Sequence, residues 1–139
     1  MATIAAARFS EDLPMCSPVL INTANPNRDG TGALTLLFIP GSLGARVHWV
    51  KICAQAVTTP GMIRLFVGPS PGVGAMLVAE IPVPAVVPSG TDPAFAFDWF
   101  PPFNFASQQA ELLLFSAYNL YVSTQNGEPF AVTAFGARM

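Results

Sequence analysis

The chain has 139 residues, of which 52% are hydrophobic and only 10% charged, with a formal net charge of −2. A typical soluble domain carries about a quarter Asp, Glu, Lys and Arg, so one domain of this size leaves apolar side chains exposed, which marks a subunit contact. The six cations, Arg8, Arg28, Arg46, Lys51, Arg64 and Arg138, form no phosphate-neutralising patch, which argues against nucleic-acid binding, and no run approaches the ~20 apolar residues of a membrane-spanning helix.

In chain order, residues 1–14 carry no strand pattern and are expected to form an N-terminal arm that clamps a neighbouring subunit. The apolar start has no preceding positive charge and meets Arg8, Glu11 and Asp12 quickly, so it does not read as a signal peptide. Residues 15–139 read as one domain. Short segments rich in Val, Ile, Phe and Thr alternate with Pro and Gly, the pattern of an all-β sandwich. Strands are expected at Val19–Asn22, Ala33–Ile39, Arg46–Ala56, Met62–Val67, Met76–Ile81, Ala94–Trp99, Glu111–Phe115, Leu120–Ser123 and Phe130–Phe135. Asn25 to Gly30 reads as a turn, and Asn126-Gly127 as a hairpin signal between the last two strands. Pro-rich segments 82–93 and 100–109 are expected to be ordered loops.

Alternation assigns faces. In the third strand Val50, Ile52 and Ala54 share one face, and Trp49, Lys51 and Cys53 the other. Val47 falls on the second parity, which a bulge near His48 would correct. In the fourth strand Ile63, Leu65 and Val67 point to the core, and Met62, Arg64 and Phe66 away from it. Trp49, Lys51, Met62, Arg64, Phe66 and Trp99 are therefore the candidate partner-interface residues.

No catalytic constellation emerges. His48 is the single histidine and has no nucleophile motif to serve. The eight carboxylates nominate no acid/base pair. Asn25-X-Asn27-X-Asp29-Gly30 matches the opening of a calcium loop, but Leu36 stands where the bidentate Glu belongs, so the stretch reads as an Asx-rich turn. Gly68-X-X-X-Gly72-X-Gly74 lacks the Lys-Ser/Thr of a phosphate loop and reads as a hairpin tip. Cys16 and Cys53 are too few for a disulfide scaffold and read as two small semi-buried thiols. Neither catalytic residue, metal nor cofactor is expected.

Four stretches together carry a likeness: Asn25-Pro-Asn-Arg-Asp-Gly-Thr-Gly32, Thr59-Pro-Gly-Met-Ile-Arg-Leu-Phe66, Glu80-Ile-Pro-Val-Pro84, and Tyr121 to Gly136 with its Ser-Thr-Gln-Asn and Ala-Phe-Gly. Over residues 19–136 the chain resembles a family of small proteins encoded among the structural genes of tailed bacteriophages. The resemblance implies a virion protein, with capsid decoration or cementing as the role, the major capsid protein as partner, and no active site. The chain departs from the family pattern by being more apolar along Arg46–Cys53, where His48 and Trp49 replace charged residues.

The sequence reading is thus an antiparallel, jelly-roll-like β-sandwich of about eight strands. It would assemble as a homo-oligomer, with a trimer at local three-fold positions expected, on a capsid surface built in the host cytoplasm. The competing readings are a head-fibre base, tail or baseplate module, and a carbohydrate-binding sandwich using Trp49, Phe97, Trp99 or Phe103 as stacking platforms.

Overall fold

A computed structural model describes residues 15–69, 74–104 and 108–139; the expected arm at 1–14 lies outside the described residues. Eleven strands are present: β1 (Met15–Ile21), β2 (Thr35–Phe38), β3 (Ala45–Ala54), β4 (Gly61–Pro69), β5 (Met76–Val83), β6 (Ala96–Trp99), β7 (Phe103–Asn104), β8 (Gln109–Ala110), β9 (Leu112–Leu114), β10 (Tyr118–Thr124) and β11 (Phe130–Arg138). Nine of them form two antiparallel sheets packed face to face as a β-sandwich. The five-stranded sheet runs β1-β11-β3-β6, with β9 also on β3, and the four-stranded sheet runs β2-β10-β4-β5.

The pairing has the logic of a rolled ribbon. The first strand pairs with the last, β2 with β10, β3 with β6 and β9, and β4 with β5. Rolling that ribbon closes the further pairs β11·β3 and β10·β4, which is the double Greek key of a jelly roll. The strand beside β3 is split: β6 covers Val50–Cys53, β9 covers Ala45–Val47, and the two-stranded ribbon β7–β8 fills the interval. That ribbon was expected as loop, because its Pro-rich run hides two-residue strands.

The core lies between the sheets and follows the alternation. Val47, Val50, Ile52, Ile63, Leu65, Ile81, Leu120, Val122, Phe130 and Val132 are all buried there. Each such side chain contributes about 1.5–3 kcal/mol by leaving water. The continuity of this face across β3 depends on the bulge: Phe135 pairs with Trp49 and Gly136 with Val47, so His48 is left over. The extra residue returns Val47 and Ala45 to the core side, as the parity of the sequence required. A second bulge, opposite Leu65 and Phe66, leaves Val78 unpaired on β5.

One expectation is corrected by the topology. Asn126-Gly127 is not a hairpin, because β10 and β11 belong to different sheets. A type I′ turn needs positive φ at both central residues, and neither Asn126 nor Gly127 has it. The Asn126 amide instead donates to Thr59 O, Thr59 Oγ1 and Pro60 O, turning the segment into an arch between the sheets. Cys16 and Cys53 cannot form a bridge. Cys16 pairs with Phe135 and Cys53 with Ala131, on opposite sides of β11 and four positions apart. Their Cα atoms are therefore ~16 Å apart by strand geometry, far beyond disulfide range.

Gly136 faces the bulge so closely that a Cβ on it would lie 2.2 Å from Arg46 O. Backbone on both sides must give way, so Gly136→Ala should cost about 1–3 kcal/mol, seen as a lower urea midpoint with an unchanged slope.

Candidate functional site

The two outer faces of the sandwich have opposite fates. On the four-stranded sheet, Met62, Arg64 and Phe66 do point away from the main core, as the alternation required. Arg64 and Phe66 do not reach solvent. The segment between β1 and β2 folds over them, with Asn25 buried and Leu34 packed against Phe66, Ala75 and Tyr121 in a second hydrophobic cluster. Arg64 is 1% exposed. Its Nε lies 3.3 Å from Glu80 Oε2, and its Nη1 donates to Asn25 O at 3.4 Å. Glu80 is shared with Arg28, whose Nε is 3.0 Å from both carboxylate oxygens.

Arg64 and Phe66 are therefore not partner-interface residues in this fold, and Met62 is only half-buried beside them. The sequence signal that covers them was the Asx-rich turn. Asn25 Nδ2 donates to Thr31 O and Ala33 O, Asn25 Oδ1 accepts from Asn27 N, and Asp29 Oδ1 accepts from Thr31 N and Oγ1. Those side chains hold the loop. Gly30 is required by the close approach, since a Cβ there would meet Ala75 O at 2.1 Å and its φ is +83°.

The outer face of the five-stranded sheet stays open. Trp49 stacks on Phe135 across the β3·β11 pair, with ring centroids 4.1 Å apart and planes inclined by 6°. Phe100 extends the stack on the other side at 6.1 Å and 17°. Lys51 and Asp98, opposite one another on β3 and β6, form an exposed ion pair at 3.3 Å. Lys51 Nζ also sits 6.0 Å from the Trp49 ring centroid, within the range of a cation–π contact. Leu20 and Ala131 continue the apolar character toward β1.

Trp99 separates from this group. It is paired with Val50, so it shares the inward face, and it packs half-buried against the main core. Of the six expected residues, the structure brings together Trp49 and Lys51. It adds Phe135, Phe100 and Asp98, which alternation on β11 and β6 alone did not single out because their partners across the sheet were unknown. His48 stands exposed on the bulge, and among the described residues no cluster of three or more His, Cys, Asp or Glu could hold a metal.

At the edge of this face, Glu111 is enclosed with no hydrogen bond to either oxygen, and Arg46 Nη1 is 3.9 Å from Oε2. A buried carboxylate held only by that distant charge gains less than it loses in desolvation.

Compared with protein-family models and with curated proteins, the chain matches none. The open face and the covered face therefore stand on their own geometry.

Three outcomes follow from these contacts. Glu111→Leu should leave the melting temperature unchanged or raise it, because Arg46 is partly exposed and recovers water. Arg64→Ala should cost about 3 kcal/mol in urea unfolding, since it empties a buried site and strands its partners. The third concerns pH. Arg28's hydrogen bond holds the Glu80 carboxyl below its ordinary value of 4.5, against the opposing push of desolvation, and Arg64 adds to the lowering. Asp29 is likewise held below 3.8 by the Thr31 hydroxyl and amide. A lowered folded value means stability that is complete above the unfolded value and is lost as pH falls through the folded one. The melting-temperature advantage of the native protein over Glu80→Gln should thus shrink between about pH 5 and pH 3.

Proposed function

We propose that this protein is a virion structural protein that binds the outside of an icosahedral tailed-phage capsid as a homotrimeric cement, with the major capsid protein as its partner. The observation that carries the reading is the open, charge-poor sheet face with its Phe135–Trp49–Phe100 stack and single Lys51–Asp98 pair. A cement performs no chemistry. It needs a rigid surface that makes modest contacts many times over, with oligomerisation multiplying them through effective concentration. A stacked aromatic group on a sheet supplies such a surface, because its rings are fixed before binding and lose little freedom on contact.

The likeness of the four sequence stretches to phage structural proteins supplies the identity of the lattice. The carbohydrate reading loses two of its platforms to packing: both faces of Trp49 meet other rings, and Trp99 belongs to the core.

Quantitative mass spectrometry of virions whose genome encodes this chain tests the reading. Copy numbers comparable to the major capsid protein are expected; absence from the particle, or the few copies of a tail or baseplate part, would overturn it. On shells, replacing both Trp49 and Phe135 by Ala should weaken retention by about 30-fold or more, the scale of a central aromatic hot spot.

A further inference from the structure

The sandwich has two unlike ends. At one, the connections 22–34, 55–60, 84–95 and 125–129 carry Arg28, Asp29, Asp92 and Glu128 and are tied by side-chain hydrogen bonds. Glu128 accepts from Thr59 N and Oγ1, and Ser89 caps a turn through Thr91 N and Asp92 N. At the other end, the described residues of the connections, 39–44, 74–75 and 115–117, contain no Asp, Glu, Lys or Arg. There Ile39, Leu43, Met76, Leu113, Phe115 and Tyr118 are exposed together, Phe115 at 77%, Met76 at 74% and Leu43 at 59%. The polar end exposes only Val57 and Val87 among its large hydrophobics.

Register and hydrogen bonds set these six at the same end, Leu113 through its pairing with Arg46. Leu43 N donates to Met139 O, Arg138 Nε to Ile39 O, and Tyr118 N to Phe115 O. Tyr118 pairs with Pro69 on β4, and Met76 with Val67. The turn that presents Phe115 is also strained: Ala117 has φ +67°, a left-handed conformation usually left to Gly or Asn. An apolar side chain is held outward here by a backbone that costs energy to keep.

Together the six side chains expose on the order of 600–700 Å², above the largest patch of a typical monomer and close to one side of a standard interface. The scarcity of charge, Arg138 at Ile39 aside, decides the occupant. Contacts made and broken by independently soluble partners are about as polar as the rest of the surface, whereas permanent contacts between identical chains have apolar cores. We infer that this apolar end is the contact between copies of this chain, buried as the oligomer forms and leaving the Trp49 face free. A cyclic arrangement of identical chains closes the contact and caps the number of copies. The inference rests on the homo-oligomer of the proposed function and holds or fails independently of shell binding.

Light scattering on a sizing column, with the full chain, tests it. The native protein should run as a whole multiple of 14.7 kDa. Leu43→Lys combined with Phe115→Lys should run as the monomer with an unchanged β-type circular dichroism spectrum, and Met76→Lys should shift the mass in the same direction. Val87→Glu, equally exposed at the polar end, should leave the oligomer intact. A native monomer at micromolar concentration, or end variants that keep the native mass, would overturn the inference. Virion copy number reports separately on the shell: an oligomer missing from virions keeps this contact and sinks the cement role, and a monomer abundant on virions does the reverse.

Discussion

A guanidinium that cannot reach water sets the shape of this molecule. Arg64 lies in the middle of the four-stranded sheet, on the side away from the core, where an arginine would ordinarily extend into solvent. It is enclosed because Glu80 on the next strand and the Asn25 carbonyl supply its partners. A buried charge is tolerable only with such partners in place. The requirement fixes the path of the β1–β2 connection, which must bring Asn25 over the sheet. With Asn25 come Leu34, the Gly30 approach to Ala75, and the small cluster around Phe66 and Tyr121. One side of the sandwich is thereby closed, and the apolar excess of the composition is displaced to the other sheet and to one end.

The four sequence stretches singled out above gain a physical meaning from this arrangement. The Asn25–Gly32 stretch, Arg64 and Glu80 meet in the cover over the four-stranded sheet. Thr59 and the Gln125–Glu128 arch meet at the polar end, where Gln125 N donates to Met62 O and Glu128 accepts from Thr59. These residues hold connections in place. The open face and the apolar end lie largely outside them.

How much was legible in the sequence follows from which forces are local. Short β-rich segments between Pro and Gly found the nine sandwich strands, and alternation the His48 bulge, since the side-chain period of a strand is written in consecutive residues. It also placed Met62, Arg64 and Phe66 on the far side of β4 correctly. What it lacked was the neighbour: no local pattern says that a loop some 30–40 residues upstream lies over that side. The same ignorance of pairing left Phe135 and Phe100 unremarked beside Trp49, and put Trp99 outward when its register with Val50 turns it inward. Asn126-Gly127 misled for a related reason. Its side chain had better partners at Thr59 and Pro60 than the turn its sequence favours.

The pairing of first strand with last has a temporal side. Met15 meets Gly136, and Ile21 meets Phe130, so β1 has no partner until more than a hundred further residues have been made. The β3·β11 contact waits for the same strand, so β1 joins β3 in the five-stranded sheet only once β11 has been made. Such long-range closure slows folding and prolongs the life of unpaired edges. Pro18 within β1 and Pro82 within β5 interrupt two of the four sheet edges that would otherwise recruit strands from neighbouring chains in that interval.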